Sequence, residues 1–196
     1  MNICTKDKTL EFKQISLKYI DTNINNVYYF KNNKTLLETL EHYKYSRLKS
    51  NIENKYHAFL NTKLGDFMRH LKESGDKNYL LFLNKYGDNK FCEFRIDQNL
   101  DDRGIYCFIH EGKIKYVGRC TDSFHQRINQ GYGKIHPKNC FIDGQATNCH
   151  LNSLINSCKD VQIGLYIMND KSIEEIKQME KLILNSNRFD WNIQTS

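Results

Sequence analysis

The apolar positions change their period several times along this chain, and each change marks an element. Over Leu10–Ile20 the pattern is weakly alternating, and LEFKQISLKYI and NVYYF read as strands of an N-terminal segment spanning residues 9–31. From Thr35 to Phe59 apolar and aromatic residues recur every three or four positions (Leu36, Leu40, Tyr43, then Leu48, Ile52, Tyr56, Phe59), which is helical spacing. LGDFMRHLKE repeats that spacing with Leu64, Phe67, Met68 and Leu71, and KNYLLFLNKYG reads as a further helix ending at Gly87. KFCEFRI is a short strand followed by the acidic turn DQNLDD.

Beyond residue 100 the period shortens to that of paired strands. RGIYCFIH, the turn EGK and IKYVG make a β-hairpin. TDSFHQRINQG follows as a short helix, with Thr121 or Asp122 as its cap and Gly131 as its stop. Residues 131–148 read as loop around the single proline, Pro137; HLNSLINSC reads as a helix and VQIGLYIM as an apolar strand. SIEEIKQMEKLILNSN is a helix opened by a capping box, Ser172 with Glu175. The sum is an α+β fold: a helix-rich N-terminal region over 1–100, then a small antiparallel β-sheet flanked by helices over 101–196.

Composition adds little to this and removes some classes. No apolar run of transmembrane length occurs, and MNICTKDKTLEFKQ lacks the apolar stretch of a secretion signal. Seven cysteines, an odd number, then read as reduced thiols in a cytoplasm. A formal charge of +6 permits a polyanionic partner and equally serves solubility.

A few side chains resist a purely structural reading. Glu180 follows Ile176 by four and precedes Ile183 by three, so helical phase puts its carboxylate on or beside the buried face. There it requires a cation, unless it reaches solvent at the boundary. Arg127 shares a face with Phe124 and Ile128; its guanidinium suits phosphate or carboxylate, or else snorkels outward. Tyr106 and Tyr116 stand on the two arms of the hairpin, where tyrosines ordinarily pack.

Taken in order, these residues resemble the signature of the GIY-YIG nuclease superfamily. Gly104-Ile105-Tyr106 is followed after nine residues by Tyr116-Val117-Gly118, with Val where Ile is usual. Arg127 in Phe124-His125-Gln126-Arg127, Glu180 in Met179-Glu180-Lys181-Leu182-Ile183, and Asn192 after Trp191 match the later elements, over about residues 100–193. The family's His or Tyr one helical turn after the arginine falls here on Gly131, leaving Tyr132 or His136 as substitute.

A nuclease segment placed after a helix-rich region is most like the superfamily's type II restriction endonucleases. The resemblance implies an Mg²⁺-dependent endonuclease acting on double-stranded DNA, with one divalent cation per site (Mn²⁺ as substitute) held by Glu180. Arg127 would neutralise the phosphate, and Tyr106 would take the proton of the attacking water, its pKa lowered by Arg127, Lys115 and the metal. Tyr116, Tyr132 and Asn192 complete the catalytic set. A homodimer follows from symmetric cleavage of both strands, with a cognate methyltransferase encoded nearby and no membrane partner.

Lys115, Arg119, Lys134, Lys138, Gln145, Asn148 and His150 are candidate DNA contacts: the cations for phosphates, the amides and the imidazole for base edges, or else part of an ordinary capped loop. The sequence leaves two rivals: a mobile-element or repair nuclease of branched substrates, and a non-catalytic DNA-binding protein on the same fold.

Overall fold

In a computed structural model, residues 1–5 and 8–193 are described. The strands are β1 (Asn2–Cys4), β2 (Thr9–Glu11), β3 (Lys13–Ser16), β4 (Lys18–Ile24), β5 (Phe91–Arg95), β6 (Gly104–His110), β7 (Lys113–Cys120) and β8 (Gln162–Ile167). The α-helices are α1 (Leu36–Leu40), α2 (Ser46–Lys55), α3 (Leu64–Glu73), α4 (Ala146–Cys158) and α5 (Ile173–Ser186). The fold is α+β, with small antiparallel sheets flanked by helices. The chain folds as two compact units that interleave in sequence: Met1–Thr22, Cys92–Lys134 and Leu154–Ser196 make the first, Asn23–Phe91 and Ile135–Ser153 the second. Packing thus draws its boundaries at 91–92, 134–135 and 153–154 rather than at residue 100, and the first 22 residues fold with the hairpin.

The first unit is built on a four-stranded antiparallel sheet in the order β3-β8-β6-β7. The turn at Glu111-Gly112 closes the β6–β7 hairpin with both residues in the left-handed region. In its register Gly104 faces Cys120, Tyr106 faces Gly118, Cys107 faces Val117 and Phe108 faces Tyr116. Strand alternation then sorts the side chains onto two faces. Ile105, Cys107, Ile109 and Val117 pack with Ile3, Leu10, Phe12, Met168 and with Ile176 and Ile183 of α5. Tyr106, Phe108 and Tyr116 turn the other way, towards the segment carrying Tyr132. The Ser172/Glu175 capping box opens α5 as its sequence dictates.

Two details in this unit depart from the sequence reading. β3 adds a fourth strand to the sheet by pairing with β8, a long-range contact that no local pattern announces. The helix after the hairpin does not stop at Gly131. It is a π-helix, His125–Tyr132, and the Gly133 N–H reaches back five residues to the Ile128 carbonyl at 2.6 Å. Thr121 and Asp122 do not cap it. Its first N–H groups go to Ser123 Oγ and to the carbonyls of Asp102 and Leu100, supplied by the acidic turn before β6.

The second unit is helical. α1 opens with a Thr35/Glu38 capping box, and α3 covers LGDFMRHLKE as its apolar spacing requires. Tyr28, Leu36, Leu40, Ile52, Phe67, Met68, Phe82 and Phe141 form its core. NVYYF is a 3₁₀ turn (Val27–Phe30) rather than a strand, entered through Asn26 in the left-handed conformation. KNYLLF likewise makes only a 3₁₀ turn, Lys77–Phe82. All seven cysteines are free. Among the described residues no helix is long and apolar enough to cross a membrane.

Candidate active site

Both glycines that flank the hairpin tyrosines are required by space. Gly104 has φ +146°, and a Cβ there would run into the Tyr166 carbonyl of the neighbouring strand. Gly118 lies directly under the Tyr106 ring: a Cβ would sit 2.5 Å from its hydroxyl oxygen and 2.8 Å from the Tyr116 ring. An empty position opposite Tyr106 lets its long side chain lie flat across β7 and bring its hydroxyl to Arg127.

The cluster formed there has four members. The Tyr106 and Tyr132 hydroxyls are 2.8 Å apart, and the Tyr116 hydroxyl is 3.4 Å from that of Tyr132. Arg127 donates from Nε to the Tyr106 hydroxyl at 3.1 Å, and its guanidinium carbon lies 4.8 Å from the centre of the Tyr132 ring. The π-winding makes this possible. Residues five apart diverge on an α-helix, but a wider turn brings 127 and 132 onto one face. Tyr132 rather than Gly131 therefore occupies the position one turn after the arginine, whereas His136 caps the 3₁₀ turn Pro137–Cys140 in the second unit.

Burial decides the protonation of this cluster. Tyr106 and Tyr132 are 0% exposed and Tyr116 7%. Desolvation drives the Tyr106 pKa well above its ordinary value, with the neighbouring tyrosines adding to the rise; the Arg127 charge opposes it and loses. Tyr132 is raised for the same first reason. Of the cations expected to lower Tyr106, Arg127 acts in that direction, but removal from water outweighs it. Lys115, one of the cations invoked, is held by Asp190 at 2.8 Å.

Arg127 itself is half-buried, and among the described residues no carboxylate lies within ion-pairing distance of it. Burial works against its charge, but the surrounding tyrosine hydroxyls outweigh that cost and raise its pKa, so it stays a cation. A guanidinium withdrawn from water without a counter-ion is a costly arrangement that an anion relieves.

Glu180 sits elsewhere. It lies on α5, which packs on the opposite face of the hairpin, and its carboxylate accepts from Arg119, which strand alternation places on the Val117 side of β7. Helical phase put Glu180 correctly at the edge of the buried face: its side chain is 14% exposed. The cation it requires is supplied by Arg119. As a donor set it is a single carboxylate already engaged by Arg119, 45% exposed, which a hard cation such as Mg²⁺ would have to displace. Among the described residues no three His, Cys, Asp or Glu side chains gather into a ready-made metal centre.

Asn192 ties the C-terminal segment to the hairpin. Its side-chain amide accepts from the Val117 N–H at 2.9 Å and donates to the Val117 carbonyl at 2.8 Å, as a neighbouring strand would. Asn129 of the π-helix holds Ile96 in the same two-handed way, at 2.8 and 3.0 Å.

The candidate DNA contacts are scattered. Arg119 and Lys115 are engaged by Glu180 and Asp190, and Lys134 is exposed with Glu93 at 3.7 Å. Gln145, Asn148 and His150 belong to the second unit. Gln145 is exposed and accepts from the Asn148 amide, while Asn148 is 5% exposed and so cannot read a base edge as expected. His150 packs against Tyr86. Sequence reasoning missed the Arg119–Glu180 pair, although the strand period already placed Arg119 on the α5 side. Comparisons of the chain with models of protein families, with curated proteins and with solved structures found no match.

Proposed function

We propose that this protein is a cytoplasmic, Mg²⁺-dependent endonuclease of the GIY-YIG superfamily that hydrolyses phosphodiester bonds in double-stranded DNA as a sequence-specific restriction enzyme. The observation that carries this reading is Arg127: a half-buried guanidinium with no carboxylate partner among the described residues, set beside three linked tyrosine hydroxyls. A phosphodiester supplies the missing charge, and its two non-bridging oxygens match the guanidinium fork. The positions of Gly104, Tyr106, Tyr116 and Gly118 in one register, with Tyr132 a π-turn after Arg127, are in keeping with the family signature.

On this reading the attacking water adds to phosphorus and the bond to the leaving sugar oxygen breaks. Arg127 binds the non-bridging oxygens and neutralises the charge that builds on them in the transition state. Tyr116, the most accessible of the three tyrosines, accepts a hydrogen bond from the attacking water and orients it; the proton that water loses passes to bulk solvent, which in turn protonates the departing sugar oxygen. Tyr106 and Tyr132 act as neutral hydroxyls that hold Arg127 and Tyr116 in place, because their burial disfavours a standing tyrosinate. By its family position Glu180 would hold the cation, which would supply Lewis acidity when bound; because Glu180 stands with Arg119 on the other face of the hairpin, no step at Arg127 is routed through it. Asn192 fixes the β7 edge beside Tyr116 and acts as a positioning residue. Cleavage of both strands calls for two copies of the site, hence a homodimer.

Digestion of unmethylated phage DNA with Mg²⁺ tests the reading. Discrete fragments from the wild type and none from Arg127→Ala are expected. Cutting confined to branched or nicked substrates would move the protein to a repair or mobile-element role. Undiminished cutting by Glu180→Ala would remove the metal assignment.

A further inference from the structure

The two units differ sharply in charge. The second carries thirteen lysines and arginines against eight aspartates and glutamates; the first carries sixteen against fifteen. Nearly all of the chain's +6 excess therefore resides in the helical unit, away from the residues that carry the nuclease signature.

Part of that excess is concentrated by the fold. Lys31 is 10% exposed, lies 4.2 Å from the centre of the Phe141 ring and reaches Asp143 at 3.4 Å. Asp143 is already committed, since it also accepts from the Tyr45 hydroxyl at 2.6 Å. Two exposed lysines, Lys34 and Lys138, lie within electrostatic reach of Lys31, and a third, Lys63, stands beside Lys34. Lys34 and Lys63 meet because Thr35 bridges to Lys63 and the Leu64 N–H bonds to the Lys34 carbonyl at 3.0 Å. The Gly65 N–H bonds to the Lys31 carbonyl at 3.2 Å and draws that strip to the buried pair. Lys138 opens the turn whose Phe141 N–H returns to its carbonyl at 3.2 Å, the same Phe141 that lies under Lys31. Burial lowers the Lys31 pKa against the pull of Asp143, and Lys138 and Lys34 push it the same way as burial, so both ammonium groups act on Lys31. Phe30, next in the chain, is 71% exposed and adds an unpacked aromatic ring. Four ammonium groups stand against two carboxylates, Asp143 beside Lys31 and Glu38 beside Lys34 and Lys63, and a row of phosphates answers the remaining positive charge.

We propose that Lys34, Lys63 and Lys138, grouped around the Lys31–Asp143 pair, form a binding face of the second unit that grips the phosphate backbone of duplex DNA. The anion binding stands without the nuclease reading; the choice of duplex DNA as occupant rests on it. The face contacts phosphates rather than bases, so it contributes affinity and salt dependence and little sequence preference.

The test is duplex binding by the full chain in EDTA, followed by fluorescence anisotropy across a range of salt concentrations. Without divalent metal nothing is cut, so failure here is separate from failure of the catalytic assignment. The triple variant Lys34→Ala, Lys63→Ala, Lys138→Ala is expected to flatten the slope of log K against log salt by about 2 to 3, at roughly 0.9 per lost phosphate contact. A charge-matched triple in the first unit, Lys159→Ala, Lys171→Ala, Lys177→Ala, is expected to keep the wild-type slope; all six lysines are exposed, so folding is spared. Equal slopes for the two triples, or a wild type that does not bind duplex DNA in EDTA, would overturn the proposal. Tighter binding to an RNA duplex than to DNA would contradict the assigned occupant.

Discussion

The two faces of the β6–β7 hairpin treat charge in opposite ways. On one, Arg127 is drawn among buried tyrosine hydroxyls with no carboxylate to answer it among the described residues. On the other, Arg119 and Glu180 answer each other at the rim of an ordinary apolar core of Ile105, Cys107, Val117, Ile176 and Ile183. A charge paired within the protein belongs to its surface. A charge withdrawn from water and left unpaired makes folding costlier, and an anion such as the proposed phosphate would relieve that cost. The difference lies in placement, since both arginines come from the same short stretch of sequence.

Substitutions on the two faces should separate accordingly. Short of removing Arg127 itself, the largest effect is expected at Tyr106→Phe, which removes the hydroxyl that Arg127 Nε and Tyr132 share; single-turnover cleavage should fall about 100-fold while the melting temperature moves little. Gly118→Ala places a methyl group against Tyr106 and Tyr116, and denaturant unfolding should show a loss of about 1–3 kcal/mol.

Alkaline titration reads the same face without mutation. The folded pKa values of Tyr106 and Tyr132 lie above the ordinary 10.0, so the unfolded chain gives up these protons first. Their contribution is intact below pH 10 and is lost as pH rises from there through the folded values. Tyrosinate absorbance from these residues should accordingly emerge together with unfolding.

The smallest change is expected on the other face. Arg119→Ala breaks a partly exposed pair and should cost less than about 1 kcal/mol. It also releases Glu180, so Mn²⁺ binding by calorimetry should become tighter than in wild type. Weaker binding would remove Arg119 as the competitor for that carboxylate.

Much of this contrast was legible in the sequence, and its limits are physical. Period-2 and period-3.6 patterns are local, so the hairpin, α3 and the capped α5 could be read directly. The Glu180 phase was correct for the same reason, yet phase cannot choose between two arginines that lie eight residues apart in the chain. The pairing of β3 with β8 is non-local and has no signature of its own. Gly131 reads as a helix stop, but the helix widens and carries on to Tyr132, whose ring meets Arg127. Asn148 sits in a polar run, and only packing shows it to be buried.

The central claim is that the uncompensated guanidinium of Arg127 is the phosphate-binding charge of a nuclease site. Single-turnover cleavage of unmethylated duplex DNA with Mg²⁺ by wild type, Arg127→Ala and Arg127→Lys tests it most directly. Wild type should cut, Arg127→Ala should be slower by about 100- to 1,000-fold, and Arg127→Lys should recover little, because an ammonium lacks the planar fork. A wild type that never cuts DNA, or an Arg127→Ala variant that cuts at the wild-type rate, would contradict it.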